Sequence, residues 1–351
     1  MKRKISIFMI LTMLCFSIFP GCSSNEIKKA DDTQNKKIKL TVLNGMVEVA
    51  DFFDDYFKKY NQENKDGIVV QTEYEKESTK SLDVKFASDN SPDIIIGVVV
   101  NQNMIDKGNF VDLTNEAFWN KLNPSDKEYS TDVKSGKAYN VGLCQTAAGL
   151  FYNKAIFSEL GLKPADTWEK FVDNLKVIKE KKPGIIPFYI GGRDSWMLEH
   201  MANFIQGGVI KQTLSYEEQQ KAMLSLNLDK LKWNSAPDGT LATYAKNLME
   251  LQKLGLINED AVKASYGNQI EAFAEGKAAV ISQGIWAADL IAQKNNQVNN
   301  IGFCQYPSIL KGEKPVVGTG TDVTVYISSK SKYKDACMTP EAIDKKLAEL
   351  E

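Results

Sequence analysis

The sequence predicts an α/β protein of two lobes, each a mainly parallel sheet flanked by helices, and three observations lead there. Strand-like and helix-like segments alternate from Ile38 to Gly97, the order that builds a parallel sheet covered by helices. A run of small and apolar residues, Val141 to Tyr152, fits a buried strand that crosses between two bodies. The chain of 351 residues keeps 330 once its first 21 are set aside as a leader, enough for two lobes with cores of their own.

The leader opens on Lys2-Arg3-Lys4, continues as the apolar run Ile5 to Phe19 and closes on Pro20-Gly21-Cys22. A basic start, an apolar centre and a small residue before the cut describe a secretory signal over residues 1–21. The apolar run is shorter than the roughly 20 residues that span a bilayer. Gly21-Cys22 resembles the processing site of bacterial lipoproteins, which implies a lipid-modified Cys22 and stable membrane anchoring by more than one acyl chain. Residues 22–37 are polar and charged without periodicity and read as a flexible tether. Removing the three basic residues of the leader moves the formal charge from −2 to −5, 40 basic against 45 acidic residues. That balance argues against nucleic acid as a partner. Of five cysteines, Cys15 leaves with the leader and Cys22 is the lipid site. Cys144, Cys304 and Cys337 have no metal-like spacing and read as small apolar residues with at most one disulfide.

Ile38 to Leu43 is the first strand, with Asn44-Gly45 at its carboxyl end. The helix expected over 47–61 puts Val49, Phe52, Phe53, Tyr56, Phe57 and Tyr60 on one stripe, with Asp54/Lys58 and Asp55/Lys59 paired four apart on its wet side. Ile68 to Tyr74 is the second strand and Ser81 to Ser88 a helix. Ser91-Pro92-Asp93 then leads into a third strand ending at Gly97. In a parallel sheet the binding crevice lies beyond the carboxyl ends of the strands, which brings Asn44, Gly45, Ser78 and Thr79 into view as ligand contacts.

After the crossing strand, a short helix from Asn153 to Leu160 is stopped by Gly161 and Pro164. Asp166 is expected to cap the next helix, with Glu169 as the returning partner of a capping box. Trp168, Phe171, Val172, Leu175 and Ile178 share that helix's apolar face. Ile185 to Gly191 reads as a strand and 194–206 as a helix carrying Trp196 and His200. Amphipathic helices follow over 217–226 and 240–254, with Trp233 in the polar loop between them.

The order of crossing strand, Phe151-Tyr152-Asn153-Lys154, Phe157, Gly161-Leu162, Pro164 and Thr167-Trp168 resembles the solute-binding proteins of ABC sugar transporters, the maltose-binding-protein-like family. Three more stretches carry the resemblance. They are Gly108-Asn109-Phe110-Val111-Asp112-Leu113, the segment Ala272 to Ala287 with its Gly284-Ile285-Trp286, and Gly318 to Lys332, which resembles the family's return strand of the hinge. Together they cover roughly Lys39 to Ala336. The resemblance implies a periplasmic-binding-protein-like fold with the ligand in the cleft between lobes. Lobe 1 would hold residues 38–142 and 322–351, and lobe 2 residues 143–321. The family continues through several further helices, so the short charged helix expected over 337–351 leaves the C-terminal part of lobe 1 incomplete. After the third strand, Gly97 to Gln102 offers no carboxylate, so a ligand contact there is expected from Asn101 or Gln102.

A sugar presents C–H faces that stack on aromatic rings and hydroxyls that need fixed donors and acceptors. Tyr152, Trp196, Trp233 and Trp286 sit at loop or element ends where a cleft can use them, each weighed against interior packing, while Trp168 on the core stripe reads as packing. Gly284 opens the turn before Trp286, and Asp322 at the hinge return either binds a hydroxyl or caps a turn. The implied function is a membrane-anchored, extracytoplasmic lipoprotein that binds a sugar or oligosaccharide and delivers it to an ABC permease as the lobes close. The alternatives are a binding protein feeding a membrane sensor kinase, a binder of a non-sugar solute, and an extracytoplasmic hydrolase. The hydrolase needs a close carboxylate pair that no local motif supplies. His200, the single histidine, reads as structural, and neither a Walker loop nor a nucleophile elbow is present. Gly318-x-Gly320 precedes the strand-like Val323 to Ile327 rather than a helix, so a dinucleotide fingerprint fails on context. No enzyme activity, cofactor or metal is expected.

Overall fold

The computed structural model describes residues 37–198, 201, 214–231, 239–294, 298–309, 312 and 314–338. The leader and tether, Cys22, His200, Trp233 and nearly all of the expected C-terminal helix lie outside the described residues. Among the described residues eight strands form: β1 (Ile38–Asn44), β2 (Ile68–Tyr74), β3 (Ile94–Ile96), β4 (Asn140–Asn153), β5 (Ile186–Tyr189), β6 (Ala278–Gly284), β7 (Ile301–Cys304) and β8 (Gly318–Ile327). They are ordered β2-β1-β3-β8-β4-β6-β5, with β7 paired to β4 beside that path.

Pairing is parallel between β1 and β2, β1 and β3, and β5 and β6, where strand and helix alternate along the chain. It turns antiparallel wherever the two long strands β4 and β8 enter, which makes the sheet mixed. Strands covered on both faces favour apolar or small residues, and all seven residues of β6 are buried, every one apolar or small except Gln283.

The apolar cores fall into two sets with no shared residue. One set draws on residues between Ile38 and Leu143 together with Val323 to Met338. The other draws on residues between Ala148 and Ile309. β4 and β8 run from the first set into the second. Their middle segments, 144–147 and 318–322, belong to neither core and pair with each other, Cys144 opposite Asp322 and Ala147 opposite Thr319. Pairing lapses at Leu143 and Val323, and Val323 has φ +51°. A β-branched side chain disfavours that left-handed region, so the surrounding contacts hold strain at the junction of the lobes.

The helix Trp168–Lys181 shows how pattern becomes packing. Trp168, Phe171, Val172, Leu175 and Ile178 are all buried, as the spacing predicts, and each contributes about 1.5–3 kcal/mol of burial. Its cap falls one residue later than expected: Thr167 Oγ1 accepts from Lys170 N, while Asp166 Oδ1 accepts from Gln305 Nε2 at 3.0 Å. The helix Ala50–Glu63, preceded by a 3-10 turn at Val47–Val49, divides its aromatic stripe. Val49, Phe53, Phe57 and Tyr60 join a core, whereas Phe52 and Tyr56 stack on each other outside it at 6.2 Å. An arc holding positions 49, 53, 57 and 60 leaves 52 and 56 on its flank. Cys144, Cys304 and Cys337 are free thiols.

The outer edge of β2 is closed by asparagine side chains, and that of β5 by a backbone bridge from Phe188 to Ile257. Along β2, Asn61 takes the N–H of Val70 on Oδ1 at 2.7 Å and gives Nδ2 to the Val70 carbonyl at 2.7 Å. Asn64 does the same for Ile68, at 3.2 and 3.0 Å. Beyond β5, Asn258 grips Ile190 in the same two-pronged way, at 2.8 and 3.0 Å. An exposed edge strand is a template for another chain, and along β2 these carboxamides occupy it.

Candidate functional site

The parallel strands of each lobe end on loops. On the first lobe those loops are knitted together. Asn44 is buried and its Oδ1 accepts from Met46 N at 2.9 Å. Gly45 N donates to Ile96 O at 2.9 Å and Glu75 N to Asn44 O at 3.0 Å. A Cβ on Gly45 would lie 2.6 Å from Ser78 Oγ and 2.8 Å from Gly97 O, so only glycine fits. Thr79 Oγ1 donates to Val99 O at 3.0 Å, and Asn101 caps the next helix by accepting from Met104 N at 3.0 Å. The expected contacts Asn44, Gly45, Ser78, Thr79 and Asn101 are thus brought together, with the side chains of Asn44, Thr79 and Asn101 engaged in building the wall. Glu48 and Tyr74 project beyond it. Partial burial and then the Glu48 carboxylate raise the Tyr74 phenol above its ordinary range.

On the second lobe, Trp196 follows the end of β5 and meets Tyr266 edge to face, with ring centroids 5.3 Å apart. Tyr266 opens the helix Tyr266–Ala274, which Ser265 and Asn268 close with a reciprocal capping box. Its backbone N–H donates to Asp194 Oδ2 at 2.8 Å, which suits a carboxylate at a helix N-terminus. Its phenol oxygen is buried and, among the described residues, meets no partner at full hydrogen-bonding geometry. Burial first, and then the Glu48 carboxylate, hold that phenol protonated far above the ordinary range. Glu48 from one lobe and Tyr266 from the other are therefore electrostatic neighbours across the strand ends. Trp286 stands at the end of β6, with ring atoms 2.0–2.3 Å from where a Cβ on Gly284 would sit. Its indole Nε1 donates to Gln283 Oε1 at 3.1 Å.

Two expected residues sit elsewhere. Tyr152 pairs with Val280 four register positions along β4 from Ala148, the residue that faces Gly284, or about 13 Å from that end of β6 at 3.3 Å per residue. Its ring lies against Phe157 at 4.8 Å and over Gly302, on the core of the second lobe. Asp322 lies on the connecting strands opposite Cys144, and its Oδ1 accepts from Val323 N at 2.8 Å. Close by, Asp126 Oδ1 accepts from Gln145 Nε2 at 2.6 Å and from Thr321 Oγ1 at 2.9 Å, clamping both strands.

Burial raises the Asp322 carboxyl above its ordinary range, against the opposing hydrogen bond from Val323. A carboxyl with a raised folded-state pKa carries no penalty below its unfolded value, a growing one as pH climbs from the unfolded to the folded value, and the full one above. Asp322→Asn keeps the acceptor for Val323 N and removes the charge. It is expected to raise the melting temperature at pH 7 and leave it unchanged near pH 3. An equal gain at both values in calorimetric scans would refute the assignment.

Glu48, Tyr74, Asp194 and Tyr266 were not singled out by the sequence. The Ser265-x-x-Asn268 cap marks where Tyr266 begins a helix, and Glu48 lies four residues past the end of β1. Nothing local says that the two meet. The place thus gathers two rings in edge-to-face contact, a buried phenol and a carboxylate within electrostatic reach. Among the described residues no group of three or more His, Cys, Asp or Glu is placed to hold a metal.

Comparisons agree with this architecture. The model of a family described as bacterial extracellular solute-binding protein matches residues 46–347. The multiple sugar-binding protein of Streptococcus mutans is 29% identical over 318 residues, 87% of this chain and 70% of that protein. The melibiose/raffinose/stachyose-binding protein MelE of Bacillus subtilis is 27% identical over 348 residues, 98% of this chain and 76% of its own length. The solved structure of the binding protein RafE in complex with raffinose has the same fold, with a TM-score of 0.70 at 23% identity over 89% of this chain and 80% of RafE.

Proposed function

Because the chain belongs to the bacterial extracellular solute-binding proteins, we propose that it binds a sugar or oligosaccharide outside the cytoplasm and delivers it to an ABC permease. The meeting of Glu48 with Tyr266 across the strand ends, Trp196 and Tyr74 beside them, carries this reading. A polyhydroxylated ring needs flat apolar surface for its C–H faces and fixed polar groups for its hydroxyls. Trp196 and Trp286 supply the first, and Glu48 and the Tyr266 hydroxyl the second. The names of the relatives, which are binding proteins for multiple sugars and for melibiose, raffinose and stachyose, support a saccharide of that class.

Lobe 1 comprises residues 38–142 and 322–351, and lobe 2 residues 143–321, a division supported by the separate cores. Solute bound more tightly between closed lobes shifts the population toward closure, and the permease reads the closed form. Residues 1–21 direct export, Cys22 carries the lipid and residues 22–37 tether the body to the membrane.

Calorimetric titration with melibiose, raffinose and stachyose is the test. At least one should bind one to one, be recovered unchanged, and at a hundred times its dissociation constant add about 2.7 kcal/mol to the unfolding free energy. No heat and no thermal shift with any of the three, beside a shift with amino acids or peptides, overturns the sugar reading. The anchor has its own check. Mass spectrometry of the membrane fraction is expected to find a mature chain beginning at a diacylated Cys22, and a mature chain that starts elsewhere and is free in the medium rules the anchor out.

A further inference from the structure

We infer that the buried carboxamide of Gln283 is a positioning residue for the cleft, aiming Trp286 and bracing the segment that carries Trp196. The inference rests on the sugar-binding reading above. Gln283, the penultimate residue of β6, is 3% exposed, and its neighbour Gln269 is 2% exposed. A buried amide must satisfy each of its polar atoms or lose stability. Gln283 spends all of them: Oε1 accepts the Trp286 indole N–H at 3.1 Å, and Nε2 donates to Gln269 Oε1 at 2.7 Å and to Met197 Sδ at 3.2 Å. Gln269 in turn donates Nε2 to the carbonyl of Tyr189, at the end of β5, at 2.8 Å.

Both ends of this chain fix its direction. An indole N–H can only donate and a backbone carbonyl can only accept. Turning either amide over would set oxygen against oxygen at one end or N–H against N–H at the other, so one arrangement satisfies the whole chain. Trp286 is thereby locked to β5 through two buried amides. The branch to Met197 reaches the residue after Trp196, and the Met197 Cε lies 2.3 Å from where a Cβ on Gly191 would sit. One carboxamide thus braces both segments that bear cleft tryptophans. This spares the site the entropy of ordering its rings when solute arrives.

Two variants test it. Gln283→Met keeps length and burial and removes the carboxamide, and Gln269→Met breaks the chain one link away from the indole. Both are expected to lose tryptophan fine structure in the near-ultraviolet circular dichroism of the solute-free protein. Gln283→Met should also weaken raffinose binding about tenfold, the loss of one hydrogen bond's worth of orientation. In a Trp286→Ala background the same change should matter less than about twofold, because coupled residues are not additive. Unchanged dichroism in both variants overturns the inference, whether or not raffinose binds. So does an unchanged raffinose affinity in Gln283→Met where Trp286→Ala weakens it. If Gln283→Met fails to unfold cooperatively, Gln269→Met decides by its dichroism. A Trp286→Ala variant that binds raffinose as tightly as the wild type instead strikes the contact reading of Trp286, and leaves the dichroism to judge the positioning.

Discussion

Asp93→Ala is expected to destabilise the first lobe by about 3 kcal/mol, since hydrogen bonds to a charged acceptor contribute about 1.5–3 kcal/mol apiece and stranded partners add to the loss. Asp93 stands just before β3. Its Oδ2 accepts from Thr41 N at 2.8 Å and from Thr41 Oγ1 at 2.9 Å, in the middle of β1. Its Oδ1 accepts from Ser331 Oγ at 2.6 Å, in the turn after β8. One carboxylate therefore ties the middle of β1 to the entry of β3 and the turn after β8, three strands of one sheet. Asp93→Asn keeps an acceptor for Thr41 and turns an amino group toward a hydroxyl that can accept, so it should lose less than about 1 kcal/mol. Urea unfolding of both variants, with unchanged slope, checks the pair. A loss below about 1 kcal/mol for the alanine variant would mean that the partners find water instead.

Trp286→Ala is expected to weaken saccharide binding by about 1–3 kcal/mol, the range for truncating an aromatic contact at a small-ligand site. Trp286 also flanks the two larger apolar clusters of the second lobe, and a purely packing role predicts another outcome. The variant would then lose roughly 3–5 kcal/mol of folding stability and keep its affinity in whatever stays folded. Affinity and melting temperature measured on the same preparation separate the two. An unchanged affinity beside a large fall in melting temperature leaves Trp286 as core.

Much of the fold was legible because its causes are local. The spacing of Trp168, Phe171, Val172, Leu175 and Ile178 specifies a buried face whatever lies opposite. The small and apolar run from Val141 to Tyr152 does form one strand, but only residues 148–151 of it are buried, and Cys144 and Gln145 are exposed where it crosses between the lobes. The site was less legible, because it depends on what long-range pairing brings together. Tyr152 ends the crossing strand as expected, but only the antiparallel register with β6 says which end of the strand borders the cleft. Asn44, Thr79 and Asn101 lie at the strand ends as expected, yet a polar side chain beside a turn serves that turn first. Glu48 and Tyr266 are 218 positions apart in the chain, and no periodicity links them. Gln269 and Gln283 look like ordinary surface glutamines until burial forces them to find each other.

The asparagines along the β2 edge also give the protein a chemical clock. Along β2 each carboxamide serves one residue of the strand from both sides, taking its N–H and giving to its carbonyl. Deamidation leaves the first contact and turns the second into oxygen facing oxygen. An aged molecule with aspartate at position 61 or 64 thus has the same fold but an unlatched β2 border, where a neighbouring chain can add a strand. Loss of solubility with age is then expected to begin at the margin of the sheet along β2 rather than in its cores.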